Sequence, residues 1–552
     1  MPRDAQGYDY VIIGAGSAGC VLAARLTEDP AIRVAVLEAG PKDNSLLVRM
    51  PAGVGNLIKE ENPYNWGFWT APQAHMNGRK LWWPRGRGLG GSSSINGMIY
   101  IRGHARDYDQ WRQTGLTGWG YADVLPYFRR SESLDRGADA YHGGDGPLKV
   151  SHGSSPNPLY KAFIDAGAQA GWPRTDDFNG RQQEGFGPYQ LTIHDGERAS
   201  ISACYLKPVL ERPNLTVFTD ARTLKIVVEK GRATGVSVSI KGKPAQTIHA
   251  DREVLVCAGA VQSPQLLMLS GIGPQAELAR HGVPVVLDAP EVGANLQDHL
   301  DAIVLTACPQ PITGFSYNKG LKKLGHGLNY LLFKKGLGRQ NFLESGAFLP
   351  SREGLDRPDI QLHFVLALMR DHAKVDPTED GFSVHLCQLR PESRGRIGLM
   401  SADPTAHPLI DPNYLAAKED RRALRDAVKL VREVIGQPAL KPYASGELAP
   451  GPDVRTDAEI DAWVRATAET IYHPVGSVRM GADAGAPLDG ELRMRGIDGL
   501  RVVDASVMPT LVGGNTNAPT VMIAEKAADM ILGKPALAPQ DAPVAEPIPR
   551  AA

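Results

Sequence analysis

One histidine has the setting that a catalytic base needs. His473 lies in the stretch from Ile471 to Val478, which contains no charged side chain and is largely apolar. Such a setting disfavours the charged imidazolium, so the ring is expected to be neutral and able to accept a proton. Pro474 restricts the backbone of His473 to extended geometry, which helps to hold the ring. The same pattern also fits a core histidine with a satisfied hydrogen bond.

A glycine-rich turn near the N-terminus has the setting of a dinucleotide-binding loop. An apolar strand, Tyr8 to Ile13, is followed at once by the Gly-X-Gly-X-X-Gly stretch Gly14 to Gly19. Helical spacing of apolar residues continues to Leu26, and a second apolar strand, Val34 to Leu37, ends at the acidic residue Glu38. This order of strand, glycine loop, helix, strand and acid is typical of a βαβ nucleotide-binding unit.

Each residue of that motif has an expected physical role. Gly14 makes the tight turn, Gly16 admits the pyrophosphate, and Gly19 lets the helix and the strand pack closely. The helix N-terminus then faces the phosphates. Glu38 is suited to accept hydrogen bonds from a ribose diol, which argues against NADP because a 2′-phosphate prefers arginine. The motif alone does not separate NAD from FAD, and a glycine turn beside a surface glutamate is the alternative.

Two further glycine clusters make the pattern specific. One covers Gly86 to Gly97, and the other covers Gly259 to Gly273 after the strand Val254 to Cys257. Both resemble the two signature patterns of the glucose-methanol-choline (GMC) oxidoreductases, the FAD-dependent family that oxidises alcohols. Further similar segments are Asn295 to His299, Tyr472 to Gly476 and Val502 to Thr520. The matching motifs extend from residue 8 to about residue 532, which is nearly the whole chain.

The resemblance implies an α/β fold, α+β overall, with two interleaved domains. A Rossmann-like FAD-binding domain is expected from discontinuous segments, residues 1–160, 200–310 and 460–532. A substrate-binding domain with an antiparallel sheet flanked by helices is expected from residues 161–199 and 311–459. Residues 533–552 are rich in proline and alanine, which predicts a disordered tail.

The resemblance also assigns roles to individual residues. His473 matches the family's catalytic histidine, and Asn515 matches the second catalytic position, with Asn517 as the near alternative and a flavin contact. Some relatives attach FAD covalently through a histidine where this chain has Ile95. Isoleucine has no nucleophile, so non-covalent FAD is expected. Glu344 suits a cationic substrate, although a structural ion pair is as good an interpretation.

The remaining expected FAD contacts come from the same motifs. They are Gly14, Gly16, Ser17, Ala18, Gly19, Glu38, Ala39, Arg87, Gly90, Gly91, Ser93, Asn96, Gly97, Ile99, Thr223, Asp504, Ala505, Asn517 and Thr520.

Composition narrows the class of partners. Sixty basic and 61 acidic residues give a net charge of −1, which argues against a nucleic-acid binder. Five scattered cysteines without a Cys-X-X-Cys pair argue against a disulfide scaffold or a zinc site, and no metal is expected. No apolar stretch reaches the ~18–20 residues of a membrane span. A cytoplasmic location is expected, and peripheral contact with the inner membrane stays open.

The expected activity is oxidation of a primary alcohol to the aldehyde. A base takes the hydroxyl proton, hydride passes to flavin N5, and a quinone or another non-oxygen acceptor takes the electrons. Within the family, the sequence resembles bacterial choline dehydrogenases and medium-chain aliphatic alcohol dehydrogenases. A choline dehydrogenase and an alcohol oxidase that produces hydrogen peroxide are the alternatives, followed by a lyase that uses FAD structurally and an NAD-dependent enzyme.

Overall fold

A mostly parallel sheet forms the part of the fold that contains the first glycine loop. The computed structural model describes residues 7–153, 155–372 and 374–548. The parallel strands lie in the order Leu215–Phe218, Val34–Leu37, Tyr8–Ile13, Gln246–Val256 and Leu500–Val502. The first half of Gln246–Val256 also pairs antiparallel with Arg232–Ile240, which in turn pairs with Ala221–Glu229.

Helices cover this sheet because its central strands are apolar on both faces. Val34–Leu37 is buried along its whole length. Ser17–Leu26 follows the first strand directly and packs against the last long helix, Asn517–Ile531. Gly259–Leu269 follows the strand Gln246–Val256 in the same way. The N-termini of all three helices therefore lie near the carboxyl ends of the parallel strands, where α/β sheets bind ligands.

A second sheet is antiparallel throughout. Its strands lie in the order Gly446–Ala449, Leu300–Ala307, Gly381–Gln388, Ile360–Val365, Ser345–Leu349 and Gly185–Pro188, with Glu469–Thr470 also paired to Leu300–Ala307. Pro158–Gln169 and the amphipathic helix Lys418–Ile435 pack against it. The expected fold class, a nucleotide-binding sheet combined with a helix-flanked antiparallel sheet, is confirmed.

The other elements connect and cover these two sheets. The remaining α-helices are Leu46–Arg49, Val54–Leu57, Ala105–Gln113, Tyr121–Ser131, Gln275–Arg280, Gly314–Tyr317, Gly320–Phe333 and Asp457–Thr467. The remaining strands are Phe68–Trp69, Trp82–Trp83, Ile99–Tyr100, Glu132–Leu134, Leu148–His152, Gln190–Leu191, Ile193–His194, Glu197–Arg198, Ile272–Gly273, Leu287–Asp288, Arg396–Gly398 and Leu409–Asp411. Within the described ranges, no helix combines the length and apolarity needed to cross a membrane.

The sheets divide the chain at different places from those expected. Leu300–Ala307 and Glu469–Thr470 pair within the antiparallel sheet, although the sequence motifs placed both in the FAD-binding domain. The motif around Asp298 therefore stands at the junction of the two sheets. Strand Leu300–Ala307 therefore belongs to the antiparallel sheet.

The C-terminal segment also differs from the expected disordered tail. Residues 533–548 contain no helix or strand, but they hydrogen-bond to the body of the protein. The amide of Leu537 donates to the Tyr127 hydroxyl at 3.1 Å, and the amide of Gln540 donates to the Ala122 carbonyl at 2.9 Å. The prediction of disorder is therefore wrong for residues 533–548, and residues 549–552 lie outside the described part of the chain.

Candidate active site

The first glycine loop has the geometry that its motif predicts. Gly14 has a φ of +98°, and a Cβ there would lie 2.6 Å from the carbonyl oxygen of Cys257. A Cβ at Gly19 would lie 1.9 Å from the carbonyl oxygen of Gly14, so helix and strand touch at this point. At Gly16 a Cβ would meet nothing closer than 3.9 Å. Gly16 therefore leaves open space at the N-terminus of helix Ser17–Leu26, where a phosphate would bind.

Glu38 stands beside this loop and is buried. Its carboxylate accepts hydrogen bonds from the amides of Ala15, Gly40 and Gly88 at 2.8–2.9 Å. Burial raises the pKa of Glu38, and the three amide donors oppose that rise. Oε1 accepts two of these bonds and Oε2 accepts one, so Oε2 keeps a lone pair for a further hydrogen bond, and the side chain lines the central cavity.

Asp504 holds the N-terminal end of the helix Gly259–Leu269. One of its carboxylate oxygens accepts from the amide of Gly259 at 2.8 Å and from the hydroxyl of Ser263 at 2.5 Å. The other oxygen accepts from the amide of Ser506 at 2.8 Å. The side chain is thus engaged in fixing the helix Gly259–Leu269, and Asp504 and Ala505 line the cavity next to it.

A cavity of about 1120 Å³ joins the glycine loops to the antiparallel sheet. Its volume slightly exceeds the ~300–1,000 Å³ of ordinary small-molecule sites. Most of the expected site residues line it, namely Gly14, Gly16, Ser17, Ala18, Glu38, Ala39, Gly91, Asn96, Gly97, Ile99, Thr223, His473, Asp504, Ala505, Asn515, Asn517 and Thr520. Gly19, Arg87, Gly90, Ser93 and Glu344 are absent from its lining.

The residues that do not line the cavity have internal partners instead. The Ser93 hydroxyl donates to the Gly90 carbonyl at 2.6 Å and accepts from the Ile201 amide at 3.0 Å, so it stabilises the loop. The Arg87 guanidinium lies 5.4 Å from the centroid of the Trp66 ring. Both side chains support the loop in this structure, and the expected FAD contacts of Arg87, Gly90 and Ser93 stay predictions.

Glu344 is likewise placed away from the cavity. Its side chain is buried, and one carboxylate oxygen accepts from the amide of Ser155 at 2.6 Å. Its neighbours Asn341, Phe342 and Leu343 line the cavity, but Glu344 itself does not. This geometry favours the structural interpretation of Glu344 over contact with a substrate.

The cavity fits the flavin dinucleotide that the sequence motifs imply. Open space at Gly16 adjoins an N-terminal helix end whose amides are not capped by a side chain. The hydroxyl of Thr223, on the cavity wall, is buried and has no hydrogen-bond partner among the described residues. Ile95 also lines the cavity and offers no nucleophile for a covalent link.

His473 lies on the wall of the same cavity, in contact with two polar side chains. Its Nε2 is 3.1 Å from the Asn515 amide nitrogen, and its Nδ1 is 3.0 Å from Nδ1 of His299. Asn515 is oriented by Gln361, whose amide nitrogen donates to Asn515 Oδ1 at 3.2 Å. The neighbouring Asn517 has a different environment, because its Oδ1 accepts from the Ser17 hydroxyl at 2.7 Å.

The hydrogen-bond chain determines which nitrogen of His473 carries the proton. Nε2 of His299 is 3.2 Å from the carbonyl oxygen of Leu389, which can only accept, so His299 carries its proton on Nε2. Nδ1 of His299 is then an acceptor, and His473 must donate to it from Nδ1. The lone pair of His473 is therefore on Nε2, on the side of Asn515 and the cavity.

Electrostatics keep both rings neutral. Burial, with the proximity of His299, His363 and Arg85 as further causes, lowers the pKa of His473 well below the usual histidine value. Burial also lowers the pKa of His299 to about 3. A neutral His473 retains the lone pair of a general base at neutral pH.

The backbone around His473 is tightly held. Asp298 accepts from the amide of His473 at 2.7 Å and from the hydroxyl of Thr470 at 2.5 Å, and it also accepts from the hydroxyl of Tyr414. Tyr472 has a φ of +72°, which is unusual for a bulky residue, and Arg85 donates to its carbonyl oxygen at 2.7 Å. Strained backbone of this kind is often found at functional sites.

The antiparallel sheet adds ionisable groups that the sequence analysis missed. Asp301, His363, His385 and Glu469 all line the cavity. His385 Nδ1 lies 2.5 Å from Asp301, whereas both ring nitrogens of His363 are buried without a partner among the described residues. Burial, followed by the charges of Asp371 and Asp301, raises the pKa of Glu469 to about 7. For Asp301, His363 and His385, the available signal was an ionisable residue inside a largely apolar strand.

Comparison with known proteins gives a consistent result. The GMC oxidoreductase family models match residues 8–301 and 391–524. The chain is 49% identical to an oxygen-dependent choline dehydrogenase of Photobacterium profundum, covering 97% of this chain and 95% of that one. It is 48% identical to the mitochondrial choline dehydrogenase of Homo sapiens, covering 98% of this chain and 92% of the other.

Solved structures are similar over the same length. Pyridoxine 4-oxidase from Mesorbium loti superposes with a TM-score of 0.86 at 34% identity, over 95% of this chain and 98% of that one. Formate oxidase of Aspergillus oryzae, in a structure that concerns modification of its FAD, superposes with a TM-score of 0.90 at 27% identity. That match covers 96% of this chain and 99% of the formate oxidase.

Proposed function

The chain belongs to the GMC oxidoreductase family, and on this basis we propose that it oxidises a primary alcohol to the aldehyde with His473 as the general base. The observation that carries the proposal is the neutral ring of His473, whose Nε2 lone pair lies on the wall of the cavity that the glycine loops form. FAD bound in this cavity would supply the acceptor for the hydride that leaves the substrate carbon.

The side chains around His473 have distinct tasks in this proposal. Nε2 of His473 accepts the hydroxyl proton of the alcohol. The Asn515 amide hydrogen-bonds the substrate oxygen and cannot compete as a base. His299 accepts from Nδ1 of His473 and so maintains the reactive tautomer. Asp298 holds the backbone of His473 through its amide.

We propose that FAD is bound without a covalent link. Ile95 lines the cavity at the position where some relatives carry the attaching histidine. Acid denaturation followed by filtration tests this point, because a non-covalent flavin passes through the filter. Flavin retained with the precipitated chain would refute it.

The activity is tested by the anaerobic visible spectrum of the purified protein before and after addition of 1-octanol. We expect the oxidised-flavin band to bleach. His473→Ala should keep its flavin but reduce it about 10²–10⁴-fold more slowly, the usual contribution of a general base. Unchanged kinetics in this variant would remove His473 from the mechanism, and a band that only dithionite bleaches would refute alcohol oxidation by this substrate class.

Choline is the second candidate substrate. Two observations favour it, since two relatives at 48–49% identity are choline dehydrogenases, and the carboxyl groups of Asp301 and Glu469 line the cavity. Bleaching by choline but not by 1-octanol would select this alternative.

A non-oxygen acceptor, such as a quinone, is the proposed destination of the electrons. The nearest alternative is an oxidase, and two structural neighbours are named as oxidases. Turnover with a soluble quinone analogue, compared with hydrogen peroxide formation in air, separates the two. Peroxide formed at the full rate of turnover would refute the non-oxygen acceptor.

A further inference from the structure

One helix exposes far more apolar surface than its surroundings. Gly320–Phe333 contains five of the twelve large hydrophobic residues that are exposed in the described part of the chain. They are Leu324 (60% exposed), Leu328 (49%), Leu331 (54%), Leu332 (70%) and Phe333 (64%). Leu324, Leu328 and Leu331 have the i, i+4, i+7 spacing of a single helix face. This face has no partner among the described residues, although exposed apolar patches usually mark an interaction surface.

The same region is strongly basic. Residues 302–343 contain six lysines and arginines and no acidic residue, in a chain that has 61 acidic residues overall. Lys319, Lys323, Lys335 and Arg339 are exposed. Lys334 is partly neutralised, because it forms an ion pair with Glu197 at 3.0 Å. The local net charge of +6 contrasts with a net charge of −1 for the whole chain.

The other side of this helix lines the cavity. Lys323, His326, Gly327 and Tyr330 are all part of the cavity wall. Lys323 and Gly327 are also exposed, so the cavity reaches the protein surface beside this helix. Val375, which lines the cavity and is 48% exposed, adds a further apolar side chain at the opening.

We propose that helix Gly320–Phe333 docks on the surface of an anionic lipid bilayer. An apolar helix face bordered by basic side chains is the pattern of helices that lie in a membrane interface, with leucine and phenylalanine among the acyl chains. The basic groups complement anionic headgroups, which distinguishes a bilayer from a second copy of this chain, since two copies would bring the four exposed basic residues of one against the same four of the other. When the helix is docked in this way, the opening of the cavity lies next to the bilayer.

This surface gives lipid-soluble molecules a direct route to the cavity. A long-chain alcohol or a lipid-soluble quinone could pass between bilayer and cavity without crossing water, a consequence that rests on the proposed function. Docking itself is independent of catalysis, because membrane binding needs no turnover.

The test is co-sedimentation of the flavin-containing protein with phosphatidylcholine vesicles, with and without phosphatidylglycerol. We expect binding to the vesicles that contain phosphatidylglycerol and its loss at high salt. The variant Leu328→Ser/Leu331→Ser should bind about 100-fold more weakly, because two leucines no longer enter the bilayer. Lys335→Gln/Arg339→Gln should bind about 25-fold more weakly, at about fivefold per basic residue.

Matched variants elsewhere on the surface act as controls. Leu210→Ser removes another exposed leucine, and Lys243→Gln/Lys441→Gln removes two exposed lysines far from this helix in sequence. Both should bind vesicles like the wild type. Flavin content and anaerobic reduction by a short water-soluble alcohol verify that each variant is folded.

Three results would overturn the proposal. The first is absence of wild-type binding to any vesicle, and the second is equal binding by the helix variants and the controls. The third is a wild-type dimer that becomes monomeric in Leu328→Ser/Leu331→Ser, which would make the helix a contact between copies of this chain. Loss of vesicle binding with normal flavin reduction separates failure of docking from failure of the proposed activity.

Discussion

His299 should determine the reactivity of His473 without contacting the substrate. Its Nδ1 lies 3.0 Å from Nδ1 of His473, and the Leu389 carbonyl fixes the proton on its other nitrogen. His299→Leu removes the acceptor and keeps a side chain of similar size. His299→Asn places an amide oxygen near the former Nδ1 position and so retains an acceptor.

The size of the effect follows from burial. In the leucine variant, the reactive tautomer of His473 has a buried Nδ1–H without an acceptor, which costs about 1–3 kcal/mol. At about 1.4 kcal/mol per tenfold change, this predicts flavin reduction about 5- to 150-fold slower than in the wild type. His299→Asn should recover most of that loss.

The assay is anaerobic stopped-flow reduction of bound flavin at saturating 1-octanol. Flavin content and thermal unfolding of each variant serve as controls for folding, because His299 is fully buried. Equal reduction rates in wild type and His299→Leu would refute the tautomer argument. A flavin-containing His299→Asn that is as slow as His299→Leu would also refute it, since the retained acceptor would then have no effect.

Three further predictions address other parts of the site. Asn515→Ala should slow flavin reduction more than Asn517→Ala, because only Asn515 contacts His473. Stopped-flow kinetics that show the reverse order would place the substrate contact at Asn517. The variant Gly16→Val should fold without flavin, whereas Gly19→Val should fail to fold. Circular dichroism measures folding and the visible spectrum measures bound flavin. A Gly16→Val protein that is yellow would refute the phosphate site. The pKa of Glu469 is about 7, so this residue gains its negative charge as pH rises through that value. The KM for choline should therefore fall over this pH range, while the KM for 1-octanol stays constant. In Glu469→Gln the KM for choline should no longer depend on pH in this range.

Local sequence determined the nucleotide-binding half of the protein. The strands Tyr8–Ile13 and Val34–Leu37 have the predicted bounds, and Gly14, Gly16 and Gly19 have the predicted environments. These features are local, because one strand, one turn and one helix of adjacent residues set the positions of the glycines. The apolar, uncharged stretch around His473 likewise indicated a neutral ring before any contact was known.

Local sequence patterns were less reliable in predicting whether the side chain of a motif residue points into the cavity or into the surrounding protein. Ser93 and Arg87 belong to the second glycine cluster, yet their side chains support the loop and do not line the cavity. Glu344 follows three cavity-lining residues and is itself directed elsewhere. In such loops the direction of a side chain depends on backbone angles and on packing against distant segments.

Only the tertiary structure brought together the groups that surround His473. His299, Gln361 and Leu389 are separated from His473 by 84 to 174 residues, and the pairing of antiparallel strands places them in one network. The same pairing places Asp301 and His385 on neighbouring strands beside the cavity. Register between distant strands depends on the packing of the whole sheet, so no single stretch of sequence contains it. The sequence by itself therefore determined the glycine loop and the candidate base, and the tertiary structure decided the tautomer and the surroundings of that histidine.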